Sequence, residues 1–156
     1  MPRDTRMSRM LHLLIHMDRH MNKATSDTIS KMLGSHPVAV RRMMGGLKDK
    51  GVLTAEKGHN GGWTLNRDLA GITLLEVYEA VGEPAFFNIG PQSEHPSCLV
   101  EQAVDARMAA ALADAEAQLR QSFASVTVAD VAADYERKSE QGIVKGDAER
   151  ACLKQA

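Results

Sequence analysis

Histidine and cysteine are the residue types of this chain with the clearest potential for metal or redox chemistry. His12, His16 and His20 recur at every fourth position, and two histidines at that spacing on a helix can bind a transition metal. No cysteine, aspartate or glutamate at matching spacing completes a tetrahedral set on that face. We therefore expect packing or surface histidines, with no bound metal and no other cofactor.

Cys98 has a more distinctive position in the sequence. Ser97 can cap a long helix that begins there, which would place Cys98 in the first turn of that helix. The helix dipole lowers the pKa of such a thiol, and His95 lies near enough to assist. Cys98 is therefore a candidate sensor of oxidants or electrophiles, the alternative being an unreactive, partly buried thiol. Cys152, far along the chain in a polar tail, predicts no disulfide and favours a reducing compartment.

Other classes of protein find little support in the sequence. The chain has no phosphate-binding loop, dinucleotide fingerprint or arrangement of nucleophile and base, so we expect no enzymatic activity. No apolar run approaches the roughly 18 residues that a membrane span needs, and the amino terminus does not resemble a signal peptide. We expect a soluble, cytoplasmic protein without a membrane partner.

Charge is distributed unevenly, although the formal net charge is only −1. Between positions 31 and 67 there are seven lysines and arginines against two acidic residues, whereas between 94 and 136 there are eight acidic residues against two arginines. A basic first half with an acidic second half is typical of a DNA-facing module carried on a solvated assembly element.

The elements around the basic segment can be predicted from apolar spacing and capping residues. Three helices are expected, from Thr5 to about His20, from about Ser26 to Leu33, and from about Pro37 to Lys50. The second and third are separated by the tight turn Gly34 to His36. A short helix, a tight turn and a third helix make a helix-turn-helix pattern.

A β-hairpin and a capped helix should follow. Val52 to Thr54 and Trp63 to Leu65 read as two short strands joined by a glycine-rich tip at 57–62, which together form a wing. Trp63 is expected in the hairpin core. Thr73 can cap another helix that ends near Gly82.

The stretch from about Ser97 to Phe123 contains neither glycine nor proline and predicts one helix of roughly 40 Å. Small apolar residues mark one of its faces: Leu99, Ala103, Ala106, Ala110, Ala113 and Ala117. Bulkier residues mark another: Met108, Leu112, Ala115, Leu119 and Phe123. A helix with two apolar faces should pack on its own domain and on a second copy, which predicts a homodimer.

The fold class expected is mainly α with a small β-hairpin wing. A winged helix-turn-helix DNA-binding domain would span residues 1–82, and 83–137 would hold a loop, the long dimerisation helix and a short terminal helix. Residues 138–156 would form a polar, flexible tail.

The sequence resembles the Rrf2 family of bacterial transcription regulators. The resemblance covers roughly Met7 to Asp130. It depends on Ser35 to Met44 with Leu47 and Gly51 to Leu53, on Gly58 to Leu65, and on Ile72 to Leu74 with Val77 to Val81. It implies a dimer on the long helix, with two winged domains reading a pseudo-palindromic operator. Some members hold an iron-sulfur cluster on three cysteines before the long helix, where this chain has only Cys98, so it resembles the subset without a cluster.

Helix three is expected in the major groove, with Arg41 and Arg42 reaching base edges or phosphates and Ser35 and His36 close to a phosphate. The glycine-rich wing tip would approach the minor groove or its phosphates. The predicted DNA-binding residues are Ser26, Ser35, His36, Pro37, Arg41, Arg42, Lys57, His59, Asn60 and Gly61.

We therefore expect an operator-binding regulator, acting as a repressor, whose partners are double-stranded DNA and a second copy of itself. Cys98 would sense redox or electrophile stress. One alternative is the same scaffold responding to a small molecule, in a pocket lined by Tyr78, Phe86 and Phe87 between the winged domain and the long helix. Another is a winged-helix protein-interaction module that never touches DNA.

Overall fold

The computed structural model describes residues 4–59, 61–91 and 97–140. Six helices, two strands and one short 3-10 turn follow one another along the chain. They are α1 (Arg6–His20), α2 (Ser26–Leu33), α3 (Pro37–Asp49), β1 (Leu53–Glu56), β2 (Gly62–Leu65), the 3-10 turn Leu69–Gly71, α4 (Leu74–Ala80), α5 (Leu99–Ser125) and α6 (Val128–Glu140).

The helix-turn-helix is formed by local capping. The Thr25 side chain accepts a hydrogen bond from the Thr28 amide at the start of α2. Gly34 ends that helix in the left-handed conformation, with φ of 56°, which glycine adopts without steric cost. Pro37 then occupies the first turn of α3, where its missing N–H is not needed.

The wing is a two-stranded antiparallel hairpin. β1 and β2 pair in the register Leu53 with Leu65 and Glu56 with Gly62. A bridge between Ala24 and Trp63, with amide-to-carbonyl distances of 3.0 and 2.8 Å, fixes the hairpin to the segment before α2. The wing is therefore held against the helix-turn-helix by backbone hydrogen bonds.

The core beneath these elements is aliphatic and rich in methionine. Its fully buried side chains come from α1, α2, α3, β1, α4, α6 and the adjoining loops: Met10, Leu13, Leu14, Ile29, Val40, Met44, Leu47, Val52, Leu53, Ile72, Val77 and Val128. In α3 the buried positions recur at helical spacing, so the opposite side of that helix faces solvent.

α4 connects the winged part to the long helix. Thr73 and Glu76 form a capping box at its start, as the Thr73 side chain predicts. α4 lies so close to α3 that a Cβ on Gly46 would come within 1.9 Å of the Ala80 carbonyl oxygen. α4 also packs on α5. In the part of the chain that the structure describes, each helix is either too short or too polar to span a lipid bilayer.

α5 is 27 residues long, and none of these residues, all of which the structure describes, is buried. The bulky face is half-buried, whereas the small-residue face is exposed throughout. One expectation was wrong: α5 begins at Leu99 with Cys98 as its N-cap, so Ser97 does not cap the helix and Cys98 is not in its first turn.

Candidate nucleic-acid interface

The solvent face of α3 carries the two arginines expected to reach DNA. Val38, Arg41 and Arg42 are all exposed, and their spacing of three and four residues places them on one side of the helix. The buried positions of α3 lie on the other side. An α-helix fits the major groove of B-DNA, so this exposed face is available to meet base edges.

A groove of about 540 Å³ lies between α3 and the wing, and we call it the wing groove. Its basic lining comes from Arg41 and Lys48 of α3 and from Lys57 and His59 of the hairpin tip. Lys57 and His59 are both exposed. Asp27 and Glu56 also line this groove, and Glu56 is paired with Lys23. The tertiary structure therefore brings basic side chains of the wing and of one flank of α3 together around one groove.

A second groove, of about 690 Å³, lies on the other flank of α3 against the amino-terminal end of α1, and we call it the α1 groove. Arg9, His36, Val38 and Arg42 contribute to its lining. An Arg9 guanidinium nitrogen donates to the Ser35 hydroxyl at 2.5 Å. Cationic side chains thus flank α3 on both sides, as the two phosphate backbones flank a helix in the major groove.

Several predicted contact residues have structural partners within the protein. The His36 side chain is the N-cap of α3, its Nδ1 accepting from the Val38 amide at 3.3 Å. The Ser35 hydroxyl accepts from Arg9 and donates weakly to the Leu33 carbonyl. The structure therefore gives His36 a capping role and engages the Ser35 hydroxyl in hydrogen bonds within the protein.

Two further predicted residues are also engaged around the wing. The Trp63 indole N–H donates to the Ser26 hydroxyl at 3.0 Å, and Trp63 packs on the core, as expected for a hairpin residue. Gly61 leaves no space for a side chain, because a Cβ would come within 2.3 Å of the Glu56 carbonyl oxygen. Asn60 lies outside the described residues.

Sequence reasoning missed two cations on this surface, Arg9 and Lys48. Lys48 follows Arg41 by seven residues, two helical turns on the same face, so helical spacing alone could have identified it. Arg9 could not be placed from sequence, because its position beside Ser35 depends on how α1 packs across the turn.

Comparison with known proteins decides the family. The sequence model of the Rrf2 family, described as iron-dependent transcriptional regulator, matches residues 3–134. This chain belongs to the Rrf2 family. A relative from Bacillus subtilis strain 168, named as the HTH-type transcriptional regulator YwnA, is 30% identical over 130 residues, which make up 82% of this chain and 95% of the relative.

Solved structures share the fold. A crystal structure described as a transcriptional regulator from Lactobacillus plantarum matches with a TM-score of 0.70 and 25% identity, over 90% of this chain and 99% of that chain. T. potens IscR matches with a TM-score of 0.56 and 17% identity, over 88% and 90% of the two chains. The chain is therefore a DNA-binding transcriptional regulator with a winged-helix fold, and not an enzyme.

The residues of this chain do not form a ligand set that fits the iron named in the family's description. In the part of the chain that the structure describes, no group of three or more His, Cys, Asp or Glu side chains could hold a metal ion. The full sequence has two cysteines, whereas iron-sulfur clusters are generally held by four protein ligands. Cys98 is among the described residues, and Cys152 lies outside them. These residues do not fit a cluster of the thiolate-ligated kind.

The histidines of α1 interact with one another. Nε2 of buried His16 lies 2.8 Å from Nε2 of His12, so one ring donates a hydrogen bond to the other. Burial lowers the pKa of His12, which favours the neutral ring that such a pair requires. The rings of His16 and His20 are 5.7 Å apart. The spacing of four residues is thus explained by contacts along one helix.

Cys98 is exposed at the amino-terminal end of α5. The backbone amides of Glu101 and Val100 lower the pKa of its thiol, although the helix forms no side-chain cap hydrogen bond. These amides occupy the positions that an N-cap side chain normally faces, which explains the shift despite the corrected helix start. His95 lies outside the described residues.

Aromatic residues concentrate at the junction of α4, α5 and the connecting loop. Tyr78 and Phe86 stack with centroids 4.3 Å apart, and Phe123 meets both rings edge-on. Together with Phe87 they line a cleft of about 670 Å³. The chain contains only three phenylalanines and two tyrosines, so this junction holds most of its phenyl rings. We call these four residues the aromatic cluster.

Proposed function

We propose that this Rrf2 regulator binds a pseudo-palindromic operator as a homodimer, through α3 and the wing. The observation that supports this proposal is the exposed face of α3 with Arg41 and Arg42. The grooves on both sides of this face include basic side chains in their linings. Residues 1–82 would form the DNA-binding domain, 83–137 the assembly region and 138–156 a polar tail. Such a protein would act in the cytoplasm.

The DNA surface is tested by replacing the two arginines. Arg41→Ala with Arg42→Ala should lower affinity for duplex DNA from upstream of the protein's own gene, most strongly at low salt, because charge is removed from the phosphate-facing surface. Fluorescence anisotropy at several fixed salt concentrations measures this. Arg137→Ala with Lys138→Ala removes the same charge from α6 and should leave affinity unchanged. Unchanged affinity of the α3 variant would favour a winged-helix protein-interaction module.

The exposed face of α5 supports the dimer. Leu99, at 79% exposure, begins a seam of alanines that all face solvent. The bulky face, on the opposite side of the helix, is half-buried, and its Phe123 meets Tyr78 of the chain's own α4. Small side chains allow two helices to approach closely, so a second copy of α5 would cover this seam.

A charge placed in the seam tests the dimer. Ala110→Glu should convert the dimer to a monomer in sedimentation equilibrium, because the carboxylate would be buried without a partner. Gln118→Glu adds the same charge at an exposed position off the seam and should leave the dimer intact. A monomeric wild-type chain, or an Ala110→Glu variant that still dimerises, would contradict this interface.

We infer that regulation is repression, because a dimer seated across two half-sites would exclude other proteins from that DNA. Transcription in vitro from the bound promoter should fall as protein is added. An increase would indicate activation instead.

For the signal, we propose modification of Cys98. Its exposure and lowered thiol pKa favour a reactive thiolate. It lies beside the exposed Leu99 and Val100 at the start of the assembly helix, so added bulk or charge would disturb the dimer. Wild type should release DNA on treatment with hydrogen peroxide and Cys98→Ser should not. If both respond alike, Cys98 is not the sensor.

The aromatic cluster favours a second candidate, a planar aromatic effector held in the cleft between the winged domain and α5. Saturation-transfer NMR with 2-naphthol as the probe tests it. Phe87→Ala changes a partly exposed ring and should abolish the transfer without unfolding the protein. Transfer that persists in this variant would exclude the cleft as the binding site.

A further inference from the structure

Val38 is an unusual residue on the surface of the winged part. Its side chain is 63% exposed. Among the described residues of 4–82, it is the only large hydrophobic side chain classed as exposed. The other strongly exposed ones lie in the loop after α4 and near the start of α5. The packing of the winged part therefore does not account for Val38.

Helix formation does not account for Val38 either. Valine is β-branched and loses side-chain freedom in a helix, so alanine would stabilise α3 better at an exposed position. Val38 occupies the first turn of α3, directly after Pro37. One turn later, on the same face, come Arg41 and Arg42, and Val38 and Arg42 line the same groove. The apolar side chain thus stands within the basic surface.

We propose that Val38 contacts the C5-methyl group of a thymine in each half-site, which makes it a specificity-determining residue. This inference rests on the proposed function, because it requires α3 to enter the major groove. Of the four bases, only thymine presents a methyl group there. A valine side chain forms no hydrogen bond, so it favours this apolar group over polar base edges. The neighbouring arginines pair best with guanine O6 and N7.

The experiment removes single methyl groups from the DNA. Duplexes enriched from a random library by wild-type protein are resynthesised with each thymine in turn replaced by deoxyuridine. In each half-site, replacing one particular thymine should lower the affinity of the wild-type protein for the duplex about fourfold. This is the factor expected for the loss of one methyl group from an apolar contact. Replacing both symmetry-related thymines should cost more than tenfold.

Two variants test whether the Val38 side chain makes the contact with the thymine methyl group. Val38→Ala should bind the unmodified duplex more weakly and should show no further loss on deoxyuridine substitution at that position. Because Val38 is exposed and alanine is the better helix former, this variant should be at least as stable as wild type, which urea unfolding checks. Val104→Ala removes the same atoms from an exposed valine of α5 and should keep the full deoxyuridine response.

The outcomes separate this inference from the proposed function. If Val38→Ala retains the wild-type deoxyuridine profile, or wild type shows no sensitive thymine, the inference is wrong. The proposed function still stands in that case if Arg41→Ala with Arg42→Ala weakens binding. If wild type enriches no duplex from the library, both are overturned.

Discussion

The two adjacent glycines of α3 give a matched test of how closely α3 and α4 pack. A Cβ on Gly46 would lie 1.9 Å from the Ala80 carbonyl oxygen and 2.9 Å from its carbonyl carbon. A Cβ on Gly45 would meet no atom within 4 Å. Both glycines are inside the same helix and neither has a positive φ, so the sterics at the α4 side are the main difference between them.

The expected free energies follow from that difference. Gly45→Ala should stabilise the protein by about 0.5–1 kcal/mol, because alanine is the better helix former. Gly46→Ala should gain the same free energy of helix formation. To make room for the added Cβ, however, α3 and α4 must separate by more than about 1 Å. Overpacking of this kind costs about 1–3 kcal/mol, and the upper end is expected because the obstacle is backbone. Since both variants gain the same free energy of helix formation, their free energies of unfolding should differ only by the packing cost, about 1–3 kcal/mol.

Equilibrium urea unfolding followed by far-UV circular dichroism measures this difference. Protein concentration must be equal in all samples, because dimerisation would contribute to apparent stability. In a thermal scan the same difference corresponds to about 2–4 °C for each kcal/mol in a chain of this size. If Gly46→Ala is as stable as Gly45→Ala, α3 and α4 do not approach each other as closely as described.

Three further predictions concern caps and charge. Thr73→Ala should destabilise the protein by about 1 kcal/mol in urea unfolding, because the capping box is lost; no change would mean that α4 needs no cap. Burial raises the pKa of Glu76, but hydrogen bonds from Thr73 and Arg67 outweigh it and hold the pKa below its ordinary value. The ionised Glu76 carboxylate therefore stabilises the protein at neutral pH, and this contribution is lost as the pH falls through the folded-state pKa. In that acidic range, the free energy of unfolding of the Glu76→Gln variant should depend less on pH than that of wild type. An equal pH dependence would contradict this. With Cys152→Ser as background, alkylation of Cys98 by iodoacetamide should be half-maximal at a lower pH than that of a cysteine peptide with uncharged, blocked ends, because the pKa of Cys98 is lowered. An equal or higher midpoint would contradict the amide contacts.

Local chemistry explains what could be predicted from the sequence. Thr25, Gly34 and Thr73 act on the backbone within a few residues of themselves, and each ends or begins a helix where expected. The apolar spacing of α3 likewise depends only on its own periodicity. The bounds of α2, the start of α4 and the exposed position of Arg41 and Arg42 therefore followed from short segments of sequence.

What could not be predicted depends on contacts between distant segments. Gly45 and Gly46 are equivalent in the sequence, and only the packing of α4 distinguishes them. Arg9 reaches Ser35 across 26 positions. The start of α5 was misplaced by sequence reasoning because serine is the more common N-cap, although Cys98 occupies that position. That Val38 is the only exposed large hydrophobic side chain among the described residues of 4–82 depends on how all the others pack, so it could be seen only in the structure.

α4 is the element through which the two proposed signals would reach DNA. On one side it contacts α3 through Gly46 and through the ion pair of Lys50 with Glu79. On the other side, the buried Tyr78 ring lies under the Arg120 guanidinium of α5, with Phe123 of α5 edge-on beside it. A shift of α5 caused at Cys98, or a ligand among the aromatic rings, would therefore act on Tyr78. Because α4 leaves α3 little space to move independently at Gly46, a displaced Tyr78 would change the position of the arginines that we propose to contact DNA.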